Sequence, residues 1–156
     1  LWEDSAQEKS AMFGMFAGPI GITDGKFTYY HYPDDLNGKG FNEYTLAPSR
    51  MMGAFEIEEL TDLSLSPPFD FTKNIKLLKV TSWPGAKRPP TDQKGGLADA
   101  ETVLFDVEAD PKQTQPIKDK KIIAKLKDEI VRNLRSHDAP QEFYGLYGFR
   151  NDEVPV

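Results

Sequence analysis

The amino-acid sequence predicts an α+β fold, in which one long amphipathic C-terminal helix packs across a small antiparallel sheet of three or four strands. Three observations predict it: an apolar hairpin pattern around Asp24 and Gly25, a strand pattern at residues 102–107 and a helical pattern at residues 119–136. The chain has 156 residues, about the size of one domain, and its ten Phe and six Tyr residues can supply much of a core.

The first strands are predicted by apolar runs and a turn. Residues 12–16 predict a buried strand, and residues 20–22 predict a second strand that pairs with residues 27–32 through a turn at Asp24 and Gly25. Both turn residues tolerate the positive φ that a type I′ turn needs. Alternation then places Phe27, Tyr29 and His31 on one face of the last strand, and Thr28, Tyr30 and Tyr32 on the other. Because both faces are aromatic, we expect both to be covered, in part by something outside this chain.

The long helix is predicted by apolar residues at spacings of three and four, which place them on a single face. These residues are Ile122, Ile123, Leu126, Ile130 and Leu134. Asp138 with Gln141 resembles a capping box, and Pro140 is tolerated early in a helix. We therefore expect a short terminal helix whose side chains Phe143, Leu146 and Tyr147 point towards the core.

Shorter elements are predicted between these strands and the long helix. Residues 43–46 predict an extended piece, residues 56–63 a helical turn or two, and residues 76–82 a strand. Asp110 and Pro111 predict a turn after the strand at residues 102–107.

The folded unit is expected to span residues 11–148. Residues 1–10 are polar and are expected to form a frayed leading segment, and residues 149–156 are expected to form a tail. Residues 84–100 contain three Pro and three Gly and little that could be buried, so we expect them to form a mobile insertion.

The composition argues against several classes of function. A net charge of −6 disfavours nucleic-acid binding, because a surface that binds nucleic acid has to be basic. No window approaches the roughly 18 consecutive apolar residues of a membrane span, so we expect no membrane partner. The absence of cysteine removes disulfides, thiolate metal ligands and cysteine nucleophiles, and it leaves the cellular compartment unassigned.

His31 and His137 are the only imidazoles, and they lack the close spacing of a zinc site. The place of His137 next to Asp138 at a helix end is explained by the helix dipole. His31 lies in an aromatic strand, where packing is the first expectation and contact with a ligand is the alternative.

Three acidic groups and one glycine pair are further candidate binding sites in the sequence. The acidic groups are Asp34-Asp35, Asp106/Glu108/Asp110 and Glu56/Glu58/Glu59. None has the alternating oxygen ligands and the glycine of a calcium loop, so we expect solvated carboxylates and no metal. Gly95 and Gly96 lack the preceding strand and following helix of a phosphate-binding loop. The basic residues within 118–127 are expected to form a solvated helix face.

Four separated blocks of sequence are distinctive in combination. Block one is Phe13-Gly14 through Ile22-Thr23-Asp24-Gly25 to Tyr29 and Pro33, and block two is Tyr44-Thr45-Leu46 with Pro48 and Met51. Block three is Pro68-Phe69 with Phe71-Thr72-Lys73 and Lys76-Leu77-Leu78-Lys79. Block four is Leu104-Phe105-Asp106-Val107-Glu108 with Asp110-Pro111, Gln113 and Pro116-Ile117. In order and spacing, the four blocks resemble the C-terminal subdomain of bacterial sulfatases of the alkaline-phosphatase-like superfamily. The later segment Asp138-Ala139-Pro140, with Phe143 and Leu146, is similar to the same family.

The resemblance implies that the parent protein hydrolyses a sulfate ester, using a calcium ion and a hydrated formylglycine that attacks sulfur. The family's formylglycine, calcium ligands and catalytic His and Lys lie upstream of the matched part. An upstream catalytic sulfatase domain is therefore the implied partner, and this chain alone is expected to be inactive, with no catalytic, cofactor-binding or metal-binding residue. Its sheet and helix would pack on that domain and its loops would shape the rim of the substrate pocket, with His31 as the candidate rim residue.

One segment departs from the family pattern, and another matches a family signature only in part. Ala17-Gly18-Pro19 stands where relatives often show Gly-Gly-His. The run from Leu46 to Arg50 resembles the signature Cys-x-Pro-Ser-Arg, but Leu46 stands at the nucleophile position. A leucine can be neither oxidised to an aldehyde nor hydrated, so we interpret that match as a coincidence.

Two other functions fit the same residues. The chain could be a free-standing binding or interaction module, or the same subdomain of a related phosphoesterase or phosphonate hydrolase. Because the chain opens on Leu1 and Trp2 and has no initiator Met, we expect it to be a piece of a longer protein.

Overall fold

The computed structural model describes residues 10–14, 18–33, 41–50, 53–81 and 101–149. Within them, a four-stranded, a three-stranded and a two-stranded antiparallel sheet precede two C-terminal α-helices. The predicted α+β class, with a small sheet and one long helix, is confirmed. The insertion predicted at residues 84–100 lies outside the described residues, as do the predicted leading segment apart from Ser10 and the predicted tail apart from Phe149.

The four-stranded sheet is built from the first strand, the predicted hairpin and one later strand. Its strands are β1 (Ala11–Gly14), β2 (Ile20–Thr23), β3 (Phe27–His31) and β9 (Val103–Asp106), in the order β1-β2-β3-β9. The antiparallel register runs from Met12 to Ile22, from Ile22 to Tyr29 and from Tyr29 to Leu104. Beyond β9, the backbone N–H of Ile117 donates to the Leu104 carbonyl at 2.8 Å.

The segment between β3 and β9 forms the smaller sheets. Strands β4 (Asn42–Thr45), β7 (Ser64–Leu65) and β8 (Leu78–Thr81) make a sheet of order β4-β8-β7. Strands β5 (Ser49–Arg50) and β6 (Gly53–Ala54) pair with each other. Short 3-10 helices lie at Ile57–Leu60 and Asp70–Thr72, the first of them within the segment predicted as a helical turn.

The hairpin turn between β2 and β3 differs from the predicted type I′ turn. Its central residues are Gly25 and Lys26, since the N–H of Asp24 donates to the Phe27 carbonyl at 3.2 Å. Within the turn only Gly25 has a positive φ, of 94°. The Asp24 carboxylate explains the difference, because it accepts the N–H groups of Lys26 at 3.1 Å and Phe27 at 2.8 Å and so closes the turn through its side chain.

The long helix, α1 (Lys120–Ser136), begins after Asp119, whose carboxylate accepts the N–H groups of Lys121 at 2.9 Å and Ile122 at 3.1 Å. Such a cap satisfies backbone donors that the first turn leaves without a partner. Its buried residues are Leu126, Ile130, Val131 and Leu134, so that the predicted apolar face is confirmed and Val131 extends it.

The core lies between α1 and one face of the four-stranded sheet. Ile22, Leu126 and Ile130 have no exposed side-chain surface, and Tyr29 and Leu104 are each 1% exposed. Cross-strand partners share a face of a sheet, so this face is the one that carries Ile22, Tyr29 and Leu104. The predicted packing of helix across sheet is therefore observed.

The terminal helix, α2 (Gln141–Leu146), is present, but the predicted capping box is not. Pro140 occupies the N-cap position, and Asp138 has a positive φ of 53°. The Asp138 carboxylate accepts the backbone N–H of Asp70 at 2.9 Å instead of capping α2. Tyr147 is buried as predicted, and Tyr144, which no pattern singled out, is buried as well.

Candidate functional site

His31, the candidate rim residue, lies at the end of β3 and is 7% exposed. Its Nε2 is 2.7 Å from the Tyr147 carbonyl oxygen, and its Nδ1 is 3.0 Å from the Tyr29 hydroxyl. A carbonyl oxygen only accepts, so Nε2 carries a proton, and in the neutral imidazole Nδ1 then accepts the hydrogen bond of the Tyr29 hydroxyl. The Nε2 contact thus joins β3 to the end of α2, and the Nδ1 contact lies within β3.

Aromatic side chains surround this imidazole. Phe149, which the sequence assigned to the tail, is buried and stacks on His31 at a centroid distance of 4.5 Å. Burial raises the pKa of Tyr29 from 10.0 to about 12, which keeps its hydroxyl protonated as the donor that Nδ1 needs. The Tyr147 hydroxyl donates to the Gly18 carbonyl at 2.6 Å. The structure therefore places His31 in a packing role, and its contact with a substrate stays a prediction.

A second polar group, the Glu142 cluster, joins α2 to the three-stranded sheet and consists of Asn42, Tyr44, Lys79 and Glu142. Asn42 and Tyr44 share a face of β4, and Lys79 lies directly opposite Tyr44 on β8. The Glu142 carboxylate accepts hydrogen bonds from Asn42 at 2.8 Å and from the Tyr44 hydroxyl, and it pairs with Lys79 at 2.7 Å. One carboxylate oxygen thus gathers three donors from two strands.

The electrostatics of the Glu142 cluster favour the ionised carboxylate. Partial burial raises the pKa of Glu142, but the hydrogen bonds from Lys79, Tyr44 and Asn42 outweigh it and lower that pKa from 4.5 to about 2. Burial and the neighbouring Glu142 carboxylate raise the pKa of Tyr44. No local sequence pattern could reveal this cluster, because its members come from three segments that lie far apart along the chain.

Acidification is expected to destabilise the fold through Glu142. A carboxylate with a lowered pKa in the folded state contributes its full stability above its unfolded pKa of 4.5 and loses it as the pH falls towards about 2. Because the Glu142 side chain is 32% exposed, we expect a loss of about 1–2 kcal/mol. Urea unfolding at several pH values, compared between the natural chain and Glu142→Gln, measures the effect.

The difference in stability between those two proteins should be largest above pH 4.5 and should shrink as the pH falls towards about 2. Glu58→Gln, at an exposed position of the first 3-10 helix, is the matched control and should follow the natural chain at every pH. A difference between the natural chain and Glu142→Gln that does not change with pH would contradict the role of Glu142.

Phe13, Tyr30 and Phe105 lie on the face of the four-stranded sheet that points away from α1. We call these three side chains the aromatic strip. Phe13 meets Tyr30 edge-on at a centroid distance of 5.7 Å, and Tyr30 meets Phe105 edge-on at 6.2 Å. Phe13 is 45% exposed, and the other two rings are half-buried. The Tyr30 hydroxyl donates to Gln113 at 3.0 Å. Of the two aromatic faces predicted for β3, the chain covers the one with Tyr29 and leaves the strip partly exposed.

The acidic residues around the turn after β9 stabilise the chain locally. Asp106 accepts the N–H groups of Glu108 at 3.1 Å and Ala109 at 3.0 Å. Asp110 accepts those of Gln115 at 2.7 Å and Thr114 at 2.6 Å, and these bonds lower the pKa of Asp110. Their carboxylates hold backbone amides, as in Asx turns.

The other sequence candidates have local roles or lie elsewhere. Leu46 is 73% exposed, before the β5–β6 pair. His137 Nδ1 lies 2.9 Å from the Asn133 carbonyl at the C-terminal end of α1, in keeping with its predicted place at a helix end. Glu59 accepts the backbone N–H of Glu56 at 2.8 Å. Asp34-Asp35 and Gly95-Gly96 lie outside the described residues.

In the described ranges, no three His, Asp or Glu side chains gather in a way that could hold a metal ion. None of the helices in that part of the chain has the length and apolar character needed to cross a membrane. Comparisons with protein-family models, curated proteins and solved structures gave no match. Function is therefore inferred from the four sequence blocks and from the contacts within the chain.

Proposed function

We propose that this chain is the C-terminal subdomain of a sulfatase-like hydrolase, which packs on the catalytic domain of its parent protein and shapes the rim of the substrate pocket. The parent's activity is the hydrolysis of sulfuric esters. The calcium ion and the formylglycine that the resemblance implies belong to the preceding catalytic domain. This chain contributes packing and orientation and has no catalytic residue of its own.

The pairing of the four blocks carries the proposal. Block one spans β2 and β3, and block four contains most of β9. Tyr29 of block one pairs directly with Leu104 of block four. Block two contributes Tyr44 to β4, and block three contributes Lys79 to β8, where the two residues pair. Segments far apart in sequence that resemble one family therefore meet in two sheets, as expected if they descend from one framework rather than from chance matches.

The end of the chain supports the same proposal. The Asp138-Ala139-Pro140 segment, which also fits the family pattern, leads into α2, and Glu142 of α2 binds Tyr44 and Lys79. The last matched segment thus joins blocks two and three.

Activity measurements on two proteins test the proposal. The complete natural polypeptide that contains this chain should hydrolyse an aryl sulfate in the presence of calcium, and purified residues 1–156 should not. Turnover by residues 1–156 alone would overturn the assignment of catalysis to another domain. An aryl phosphate or a phosphonate ester hydrolysed in place of the sulfate would favour the phosphoesterase or phosphonate hydrolase alternative. A complete polypeptide without esterase activity would favour a binding module.

A further inference from the structure

Strand β1 is exposed on both faces of the four-stranded sheet. Met12 pairs with Ile22 and so lies on the face towards α1, yet Met12 is 40% exposed while Ile22 is fully buried. Phe13 points to the opposite face and is 45% exposed. Among the described residues, no strand pairs with the free side of β1. The strand therefore extends beyond the cover that α1 provides.

The residues of β1 do nothing to prevent contact. Its sequence, Ala-Met-Phe-Gly, contains neither a charge nor a proline. Exposed edge strands usually carry lysine, proline or a bulge, which keep other chains from pairing with them. At the opposite edge of the sheet, Ile117 already bridges to Leu104. The edge formed by β1 is therefore the edge of the sheet that another domain or chain can cover.

The aromatic strip continues this surface across the sheet. The ring of Phe13 lies against Gly21 so closely that a Cβ on residue 21 would be 2.2 Å from the Phe13 Cε2. Glycine at position 21 thus lets the ring lie flat on β2, next to Tyr30 of β3. The result is an uncharged apolar surface that runs from the edge strand to Phe105 of β9.

The course of the chain points to the occupant. Ser10 leads directly into β1, and its hydroxyl donates to the Glu129 carboxylate of α1 at 2.6 Å, which fixes where the polypeptide enters the sheet. A domain on the N-terminal side of this chain is therefore connected to it through β1, and such a tether raises the effective concentration of that domain at the edge strand.

We propose that β1 together with the aromatic strip is the docking surface for the domain that precedes this chain in its parent polypeptide. That domain is the catalytic domain of the proposed function, on which this inference rests. Met12 and Phe13 are buried at the domain interface, and Tyr30 and Phe105 extend the contact.

Hydroxyl-radical footprinting of the complete parent polypeptide tests the docking surface without relying on activity. Met12 and Phe13 should be modified several-fold more slowly in the parent than in residues 1–156 alone. Phe71, which is 68% exposed and lies far from β1 in sequence, is the internal reference and should react equally in both proteins. Tyr29, which is 1% exposed, should be protected in both and so reports that the isolated chain is folded.

Two outcomes would overturn the inference. One is equal and rapid modification of Met12 and Phe13 in the parent. The other is their protection already in folded residues 1–156, which would mean that the chain covers its own edge. A parent that protects both residues but hydrolyses no sulfate ester would support the docking surface and reject the proposed function.

A matched pair of variants adds a second readout in the parent polypeptide. Phe13→Asp places a charge in the interface and should make the two domains unfold separately or expose Met12 to modification. Leu46→Asp introduces the same charge at a residue that is 73% exposed and should leave both readouts unchanged. Equal behaviour of the two variants would count against docking at β1.

Discussion

Replacing Ile130 by alanine is expected to lower the free energy of unfolding by about 2–5 kcal/mol. Ile130 has no exposed surface and lies in the core between α1 and the four-stranded sheet. The substitution removes buried methyl and methylene groups and leaves a cavity that the rigid sheet cannot close. Urea denaturation followed by circular dichroism measures the loss.

The same substitution at an exposed isoleucine is the matched control. Ile57 in the first 3-10 helix is 80% exposed, so Ile57→Ala should change the stability by less than about 0.5 kcal/mol. If the two variants lost similar stability, the result would contradict the description of Ile130 as buried against the sheet. The comparison therefore tests whether α1 packs on the sheet as described.

Replacing His31 by leucine is expected to cost about 2–4 kcal/mol, although leucine is apolar and of similar size. The substitution takes a buried hydrogen-bond partner from the Tyr29 hydroxyl and another from the Tyr147 carbonyl. Each buried polar group that loses its partner costs about 1–3 kcal/mol. Thermal and urea unfolding measure the change.

Two further variants separate hydrogen bonding from packing at this position. His31→Gln offers one donor and one acceptor and should lose less stability than His31→Leu. Tyr29→Phe removes only the hydrogen bond to Nδ1 and should cost about 1 kcal/mol. A His31→Leu variant as stable as the natural chain would show that the imidazole does not tie β3 to the end of α2. Nitrogen-15 NMR of His31 should find the proton on Nε2.

The His31 contacts also bear on the departure from the family pattern at Ala17-Gly18-Pro19. In this chain the Gly18 carbonyl accepts the Tyr147 hydroxyl, and the Tyr147 carbonyl accepts His31 Nε2. The residue after α2 thus holds both the segment before β2 and the end of β3. This places Gly18 of that segment next to the residue that follows α2.

The elements that the sequence predicted are those whose pattern of apolar residues can be recognised within a short stretch of chain. The hairpin of β2 and β3, the strand β9 and the helix α1 follow from the spacing of apolar residues over a few turns or pairs. The fold class follows from their order. Alternation also separated Tyr29 and His31 from Tyr30 on β3, but it did not identify which of the two aromatic faces packs against α1.

Local details were less predictable where a side chain competes with the backbone. The Asp24 carboxylate closes the hairpin turn and displaces it by one residue, so the type I′ prediction was wrong. The Asp138 carboxylate binds the backbone of Asp70 instead of capping α2. In both cases an acidic side chain had more than one backbone donor within reach, and sequence spacing does not rank them.

The sequence by itself determined the hairpin of β2 and β3, the strand β9, the two α-helices and the apolar face of α1, because periodicity acts over neighbouring residues. It did not predict the short strands β5, β6 and β7, and the burial predicted for the first strand was wrong, since β1 is exposed. Only the tertiary structure decided that β4 pairs with β8, that Glu142 collects Asn42, Tyr44 and Lys79, and that β1 extends beyond the cover of α1. These features depend on contacts between residues that are distant in the chain. Whether such a contact repays the entropy lost in closing the loop depends on the whole fold, and local sequence patterns do not report it.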